Sequence, residues 1–287
     1  MLISFDGARD IAQWERSRSL ARRTGAHFTY FLSCVNLLTP ETKSAYRGPE
    51  GAKSNVGFAA SRDDVAARLR QIWTARLEGH EMASHGCGHF DGGQWNAAEW
   101  KEEFGEFSRI LADAWTLNGI PHEPAGWRAF AGNDIAGFRA PYLAIGPGLD
   151  KALRATAFAY DASTVSRDPE TPAERGGVTR FALPMIAEGP DGRRILAMDY
   201  NLFVRHSGGF ERADSDGAFE ERAYRAFVDA FEAQGGAPLQ IGLHFTLMNG
   251  GAYWRALERF ADDVCRKPDV RCVSYADYLR ETAKRPS

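Results

Sequence analysis

Short apolar runs of the β type alternate with amphipathic helical patterns along most of this chain. Residues 2–5 form the first such run, residues 11–23 carry a helical pattern, and residues 27–32 form a second run. Further runs of the same kind lie at residues 137–139, 158–160, 195–198 and 239–243. Strands that alternate with helices are typical of a mostly parallel sheet covered by helices. The pattern therefore predicts an α/β fold.

The length and charge of the chain narrow this prediction further. Its 287 residues contain no internal repeat and no linker rich in Pro, Gly or Ser, so we expect one domain over residues 1–287. A single α/β barrel of about 250 residues fits this length. The net charge is −3 and no polybasic block is present, which argues against nucleic acid as a partner. No apolar stretch reaches the roughly 18 residues that a membrane helix needs.

The connection after the second predicted strand is unusually long. It contains Gly and Pro residues and runs from about residue 34 to residue 61. Loops of this length in compact domains are usually functional, so we expect it to lie over the functional site. Ser61 and Asp64 then predict the start of a helix, because Ser at the N-cap accepts a hydrogen bond from the backbone three residues on.

Unusual polar residues stand at the ends of predicted strands. Asp6 follows the first strand, Arg139 ends a middle one, and His244 follows the run at residues 239–243. In an α/β barrel the carboxyl ends of the strands form one face, where catalytic residues collect. Taken singly, each residue also has a plain structural interpretation: a helix-capping aspartate, a buried ion pair and a core histidine. Together, their placement predicts one shared site.

The strongest local signal is the segment around His85 and His89. The two histidines are four residues apart, and one helical turn after a strand would place both imidazoles on the same side. This arrangement chelates divalent metals. Two histidines at this spacing, taken alone, are about as often core or surface residues as metal ligands. A metal site needs a third ligand, and Asp6 is the obvious carboxylate.

Five motifs in a fixed order resemble those of a known enzyme family. They are Ser4-Phe5-Asp6-Gly7, His85-Gly86-Cys87-Gly88-His89, Arg139-Ala140-Pro141-Tyr142, Tyr160-Asp161-Ala162-Ser163 and Leu243-His244. The series is similar to that of the polysaccharide deacetylases, the NodB-homology enzymes of carbohydrate esterase family four, and most similar to the chitin deacetylase-like group. The resemblance spans residues 4–244 and implies a distorted (β/α) barrel similar to a TIM barrel.

The resemblance implies a division of labour around a metal ion. Asp6 would be the general base that deprotonates a metal-bound water. His85 and His89 would hold the metal, most simply Zn²⁺. Such an ion lowers the pKa of its water toward about 7 and polarises the acetyl carbonyl. Arg139 would fix the base by a charge-assisted hydrogen bond.

The remaining roles concern the oxyanion and the leaving amine. The backbone N–H of Tyr142, which follows Pro141, would help to hold the oxyanion. His244 would be the general acid that protonates the departing amine. The carboxylate that tunes this acid is most simply Asp161, and Asp199 is a rival.

The first motif departs from the family pattern. The family normally has two adjacent aspartates there, one the base and one a metal ligand, whereas this chain has Asp6 followed by Gly7. Asp6 is then either the base or the ligand, and we assign it to both roles. Asp10 lies one turn further along and is an alternative carboxylate.

The four cysteines indicate in which cellular compartment the protein works, because disulfides persist in oxidising compartments. Cys87 has a possible partner in Cys34, and Cys265 and Cys272 flank a short turn that a disulfide could close. Four cysteines allow three connectivities, and free buried thiols are the alternative. The sequence contains no signal peptide, so we interpret the chain as a mature or trimmed form of an exported protein, periplasmic or secreted.

These observations predict metal-dependent removal of N-acetyl groups from a GlcNAc-containing carbohydrate such as chitin, peptidoglycan or an exopolysaccharide. Two alternatives stay open. The first is a carbohydrate-binding protein that lost turnover with the second aspartate. The second is a hydrolase of small non-sugar amides on the same barrel, which a closed, narrow pocket would favour.

Overall fold

The computed structural model describes residues 1–49 and 54–284, so residues 50–53 of the predicted loop lie outside the described residues. The strands in this part of the chain are β1 (Leu2–Asp6), β2 (Thr29–Leu32), β3 (Glu81–Ser84), β4 (Gly137–Phe138), β5 (Tyr160–Ser166), β6 (Ala173–Arg175), β7 (Val178–Glu188), β8 (Arg193–Leu196) and β9 (Gln240–His244). The helices are α1 (Ile11–Thr24), α2 (Arg62–Leu77), α3 (Ala97–Leu117), α4 (Trp127–Asn133), α5 (Pro147–Leu153), α6 (Asp199–Ser207), α7 (Ala218–Glu232), α8 (Ala252–Val264) and α9 (Tyr275–Ala283).

The strands form one curved sheet in the order β6-β7-β5-β4-β3-β2-β1-β9, with β8 paired to β7. All pairings from β9 through β1 to β7 are parallel, and β7 pairs antiparallel with β6 and β8. The two ends of the sheet meet at an isolated bridge between Met198 and Gly242 and at a hydrogen bond from Gln240 to the Ala182 carbonyl. No continuous ladder of hydrogen bonds closes the sheet. The sheet is therefore a distorted form of the predicted barrel.

Helix boundaries follow the local sequence signals. Asp10 caps α1 through Gln13 N–H. Ser61 caps α2 through Asp64 N–H, and this second cap was predicted. Asn96 and Glu99 form a capping box at the start of α3. The apolar stripe of α3 is buried; its members are Trp100, Phe104, Phe107, Leu111 and Ala114.

Side-chain alternation along β1 separates the core from the site. Phe5 packs outward, with its ring centroid 5.0 Å from that of Trp254 on α8. Ser4 and Asp6, one residue to either side, turn inward and both contact Arg139. Because neighbouring residues of a strand face opposite sides, one strand supplies both the outer core and the inner polar cluster.

Within the described residues, none of the helices is long and apolar enough to cross a membrane. Both candidate disulfides are formed, Cys34–Cys87 and Cys265–Cys272. The first joins the end of β2 to the segment that carries His85 and His89.

Candidate active site

The predicted site residues meet at the carboxyl ends of the parallel strands. Asp6 on β1 is directly opposite His244 on β9 in the strand register. His85 follows β3, and Arg139 follows β4 on the neighbouring strand. A cavity of about 710 Å³ opens there, and its lining includes Asp6, His85, His89, Tyr142 and His244.

Asp6 is held by a fully buried arginine. Arg139 Nη1 donates to Asp6 Oδ1 at 2.8 Å and to Ser4 Oγ at 2.9 Å. The other guanidinium nitrogens donate to the Ala162 carbonyl and to Tyr275 Oη. Burial alone would raise the pKa of Asp6, but the charges of Arg139 and of the nearby imidazoles outweigh it and hold the pKa below its usual value. Asp6 is therefore an oriented carboxylate.

His244 is paired with Asp199. Its Nδ1 lies 2.7 Å from Asp199 Oδ1, and its backbone N–H donates to Oδ2 at 2.8 Å. Burial lowers the pKa of His244, but the Asp199 carboxylate outweighs it and raises this pKa to about 9. The His244 side chain keeps 32% exposure while Asp199 has none, so the imidazole faces the cavity from a buried support.

The prediction that Asp161 tunes His244 is wrong. Asp161 is buried on β5, where it accepts hydrogen bonds from Ser163 Oγ and from Arg180 at 2.6 Å. Ser163 Oγ in turn accepts from the backbone N–H of Ala140 at 2.8 Å. Asp161 therefore supports the turn after Arg139. The carboxylate that binds the His244 imidazole is that of Asp199, the alternative candidate. The signal for Asp199 is its place directly after a short β-type run, which matches the other strand-end residues.

His85 presents one ring nitrogen to the cavity. Its Nδ1 lies 2.8 Å from the Arg139 carbonyl, and because a carbonyl only accepts, this nitrogen carries the proton. Nε2 therefore keeps a free lone pair. Burial lowers the pKa of His85, so the ring is neutral at pH 7.

His89 lies beside His85 in an irregular segment. Their ring centroids are 4.9 Å apart, and the His89 ring is 5.0 Å from that of Tyr142. Residues 85–89 contain no helical turn, so that prediction is wrong; Gly86 and His89 both have positive φ. Burial lowers the pKa of His89 to about 3, and its buried Nδ1 has no partner within the described chain.

The donor set does not complete the predicted metal site. Two neutral imidazoles are suitable ligands, but no group of three His, Cys, Asp or Glu side chains that could hold a metal ion occurs among the residues described. Asp6, predicted as the third ligand, is engaged by Arg139. Asp10 caps α1 and is not the substitute carboxylate. At Gly7, where the resembled family has its second aspartate, φ is +62° and the space for a Cβ is open.

The segment that carries His85 and His89 is held by a carboxylate that the sequence motifs do not include. Glu103 of α3 accepts the backbone N–H groups of Cys87 and Gly88 at 2.6 and 2.7 Å, and Tyr46 Oη donates to it at 2.6 Å. Burial raises the pKa of Glu103. Its signal in the sequence is a carboxylate on the buried stripe of an amphipathic helix.

Tyr142 follows Pro141 in a short 3₁₀ turn, and its φ is +58°. Its backbone N–H has no backbone acceptor among the described residues, so it can donate to a ligand. Tyr142 is 53% exposed at the rim of the cavity, and Tyr200 on α6 is 55% exposed. Pro141 itself is buried and fixes the turn.

In comparisons with known proteins, this chain matches solved structures of similar fold. No family model matches the chain, and no curated protein matches it. A structure from Mycobacterium smegmatis, provisionally assigned as a polysaccharide deacetylase, is similar over 100% of this chain and 93% of its own, with 15% identity and a TM-score of 0.61.

Two further structures show how varied the proteins of this fold are. PuuE allantoinase is 21% identical, with 95% of this chain and 73% of its own covered and a TM-score of 0.55. A pseudoenzyme of carbohydrate esterase family four from Bacillus anthracis is 9% identical, with 97% and 64% covered and a TM-score of 0.51. The chain therefore has the α/β fold of the polysaccharide deacetylases of carbohydrate esterase family four.

Proposed function

We propose that this protein is a hydrolase that removes N-acetyl groups from a carbohydrate, with Asp6 as the general base and His244 as the general acid. The observation that carries the proposal is the pairing of these two groups on adjacent strand ends, each oriented by a buried partner of opposite charge. Two titratable groups whose pKa values are pushed apart are the usual basis of acid–base catalysis.

The base acts first. Asp6 is ionised at neutral pH because its pKa is lowered, so it can accept a proton from a water molecule in the cavity. The oxygen of that water then attacks the acetyl carbon. The Nε2 lone pair of His85 points to the same cavity and can hold the water in place. Arg139 keeps the carboxylate from rotating away.

The acid completes the reaction. Negative charge develops on the acetyl oxygen, and the free N–H of Tyr142 is a suitable donor for it. The C–N bond then breaks, and His244, protonated because its pKa is about 9, gives its proton to the amine nitrogen. The products are acetate and a free amine.

The proposal extends to the role of a metal ion. A bound divalent ion would polarise the acetyl group and acidify water. His85 and His89 offer two ligands of the kind Zn²⁺ prefers, and no third joins them among the residues that the structure describes. We therefore expect weak metal binding, and the steps above use only proton-transfer groups of the chain.

A glycan substrate is supported by the two exposed tyrosines at the rim, Tyr142 and Tyr200, because aromatic rings stack on sugar faces. The two disulfides are in keeping with export, where chitin or peptidoglycan would be met.

The test is acetate release from N-acetylated chitin and peptidoglycan oligomers by the purified protein. We expect release that falls at least about 100-fold in Asp6→Asn and is retained in Asp91→Asn, an aspartate outside the proposed machinery. Parallel assays with a chelator and with added Zn²⁺ measure metal dependence. No acetate from any glycan, with or without metal, would refute the proposed activity.

A second candidate function is carbohydrate binding without turnover. The observation that favours it is Gly7, which stands where the resembled family has a second aspartate, together with the lack of a three-residue metal-binding group among the described residues. Saturable binding of GlcNAc oligomers with no acetate release would establish this alternative, and acetate release would exclude it.

A further inference from the structure

An apolar strip leads away from His244 along α6. The ring centroids of Tyr200 and His244 lie 6.4 Å apart. Val204 follows about one helical turn after Tyr200, so the two side chains share one face of α6. A methyl group of Val204 lies 3.9 Å from the position that a Cβ on Gly209 would take, which brings it to the loop that carries Phe210. Tyr200, Val204 and Phe210 together form what we name the α6 strip.

The α6 strip faces solvent although its three side chains are largely apolar. The exposed fractions are 55% for Tyr200, 44% for Val204 and 74% for Phe210. Single exposed apolar residues are normal on a protein surface, but a contiguous group beside a cavity marks an interaction site. Tyr200 and Glu211, the residue after Phe210, both line the cavity that contains His244. The strip is therefore continuous with the candidate active site at both of its ends.

The loop at the far end of the strip is fixed in place. Two residues after Phe210, the backbone N–H of Arg212 donates to Asn249 Oδ1 at 3.0 Å. Asn249 is fully buried in the turn after β9, and its Nδ2 donates to Ser207 Oγ at the end of α6 at 3.2 Å. Because this backbone is fixed, the Phe210 ring keeps its apolar surface in water. A bound apolar group would remove that surface from water, which is favourable.

The position of the strip indicates which half of the substrate meets it. In the proposed reaction His244 protonates the leaving amine, so the substituents of that amine lie on the His244 side of the cavity. The Tyr200 ring stands on this side, and the rest of the strip continues outward from it. The strip is therefore placed to contact the amine half of the substrate.

The chemistry of the strip favours an apolar group over a further sugar. Val204 and Phe210 carry no hydrogen-bonding side-chain atoms. The guanidinium of Arg205, which follows Val204, donates to the Arg194 carbonyl at 3.1 Å. Sugar hydroxyls need polar partners when they lose water, whereas alkyl and aryl groups do not.

We infer that the α6 strip binds an alkyl or aryl substituent on the amine half of the substrate, so that the protein prefers N-acetylated sugars with an apolar aglycone. The inference rests on the proposed function, because it names the substrate class of that same site. In N-acetylglucosamine the aglycone is bonded to C1, next to the C2 that bears the nitrogen. From Tyr200 to Val204 the strip runs about 6 Å along the helix axis, which is similar to the length of a hexyl chain.

Equilibrium binding tests the inference separately from turnover. Calorimetric titrations would compare the methyl, hexyl and phenyl glycosides of N-acetylglucosamine, which share the sugar and differ only in the aglycone. The proteins would be the wild type, Val204→Ser, Phe210→Ser and the control Val165→Ser. Val165 lies on β5, is 49% exposed and stands outside the cavity lining formed by the described residues.

We expect the hexyl or the phenyl glycoside to bind about tenfold more tightly than the methyl glycoside, because the aglycone buries apolar surface on the strip. Val204→Ser and Phe210→Ser should each reduce this preference to less than about threefold, and Val165→Ser should keep it. The glycoside with the larger gain identifies an alkyl or an aryl group as the favoured substituent. Equal binding of the three glycosides, no binding of any, or a preference that survives both strip variants would overturn the inference.

Two further measurements separate the other outcomes. Acetate release would be followed on the same glycosides: a preference without release refutes the proposed function alone, and release without a preference refutes the inference alone. Sedimentation velocity would show whether the protein self-associates. A dimer that Phe210→Ser dissociates would mean that a second copy covers the α6 strip, and it would overturn the inference as well.

Discussion

The two halves of the candidate site differ in how completely their polar groups are satisfied. In the Asp6–His244 half, both groups have a buried partner of opposite charge within 2.8 Å. In the His85–His89 half, His89 has an orphaned nitrogen and a positive φ, and no third ligand joins the pair in the described chain. The comparison suggests that proton transfer is preorganised here, whereas metal binding is not.

The largest effect should come from Asp6→Asn. The variant removes the proposed base while keeping its shape, and general bases contribute about 10²–10⁴-fold to rate. We expect kcat for acetate release to fall by that range.

The matched control is Asp10→Asn, since Asn caps a helix as well as Asp does. It should keep activity and the melting temperature. Equal losses in both variants would show that Asp6 has no special role.

The substitution Gly7→Asp should give the His85–His89 half of the site a third metal ligand. The new carboxylate would stand in open space next to Asp6, at a positive φ that Asp tolerates better than most residues. We expect the affinity for Zn²⁺, measured by calorimetry, to rise at least about tenfold, because three protein ligands make the usual catalytic zinc site.

Gly7→Asn has the same backbone cost without the charge and serves as its control. If the two variants bind Zn²⁺ equally, the carboxylate added at position 7 does not act as a third ligand beside His85 and His89.

Asp199→Asn tests the support of the acid. With Asp199 present the imidazolium persists through neutral pH and is lost as the pH rises through about 9. The stability that this pair contributes is therefore fully present below 6.5 and lost through about 9. In the variant we expect the pKa of His244, followed by NMR, to fall toward 6.5 or below, and acetate release at pH 8 to drop about tenfold.

Asp161→Asn should leave the pKa of His244 unchanged. A shift in that variant instead of in Asp199→Asn would reverse the assignment of the two carboxylates.

The smallest effect should come from Glu103→Gln. This change weakens the hydrogen bonds that fix the His85–His89 segment, so we expect the free energy of unfolding to fall by about 1–3 kcal/mol. Urea denaturation measures it. Glu102→Gln, at the exposed neighbouring position, should change it by less than about 0.5 kcal/mol.

Much of the fold was predictable because periodicity and capping are local signals. The stripe of α3 and the cap at Ser61 need only residues a few positions apart. The partner of His244 was not predictable in this way, because Asp161 and Asp199 both follow or begin short strands and only the three-dimensional path separates them. The turn at His85–His89 was misjudged because spacing alone does not show that Gly86 takes a positive φ.

Arg139 also has a consequence for how the chain must fold. Its guanidinium contacts Ser4 and Asp6 near the start of the chain, Ala162 in the middle and Tyr275 at the start of α9. These contacts span more than 250 residues of sequence separation between Ser4 and Tyr275, and folds rich in such non-local contacts fold slowly. On a ribosome, the base would therefore be fixed in its final orientation only after Tyr275 has emerged.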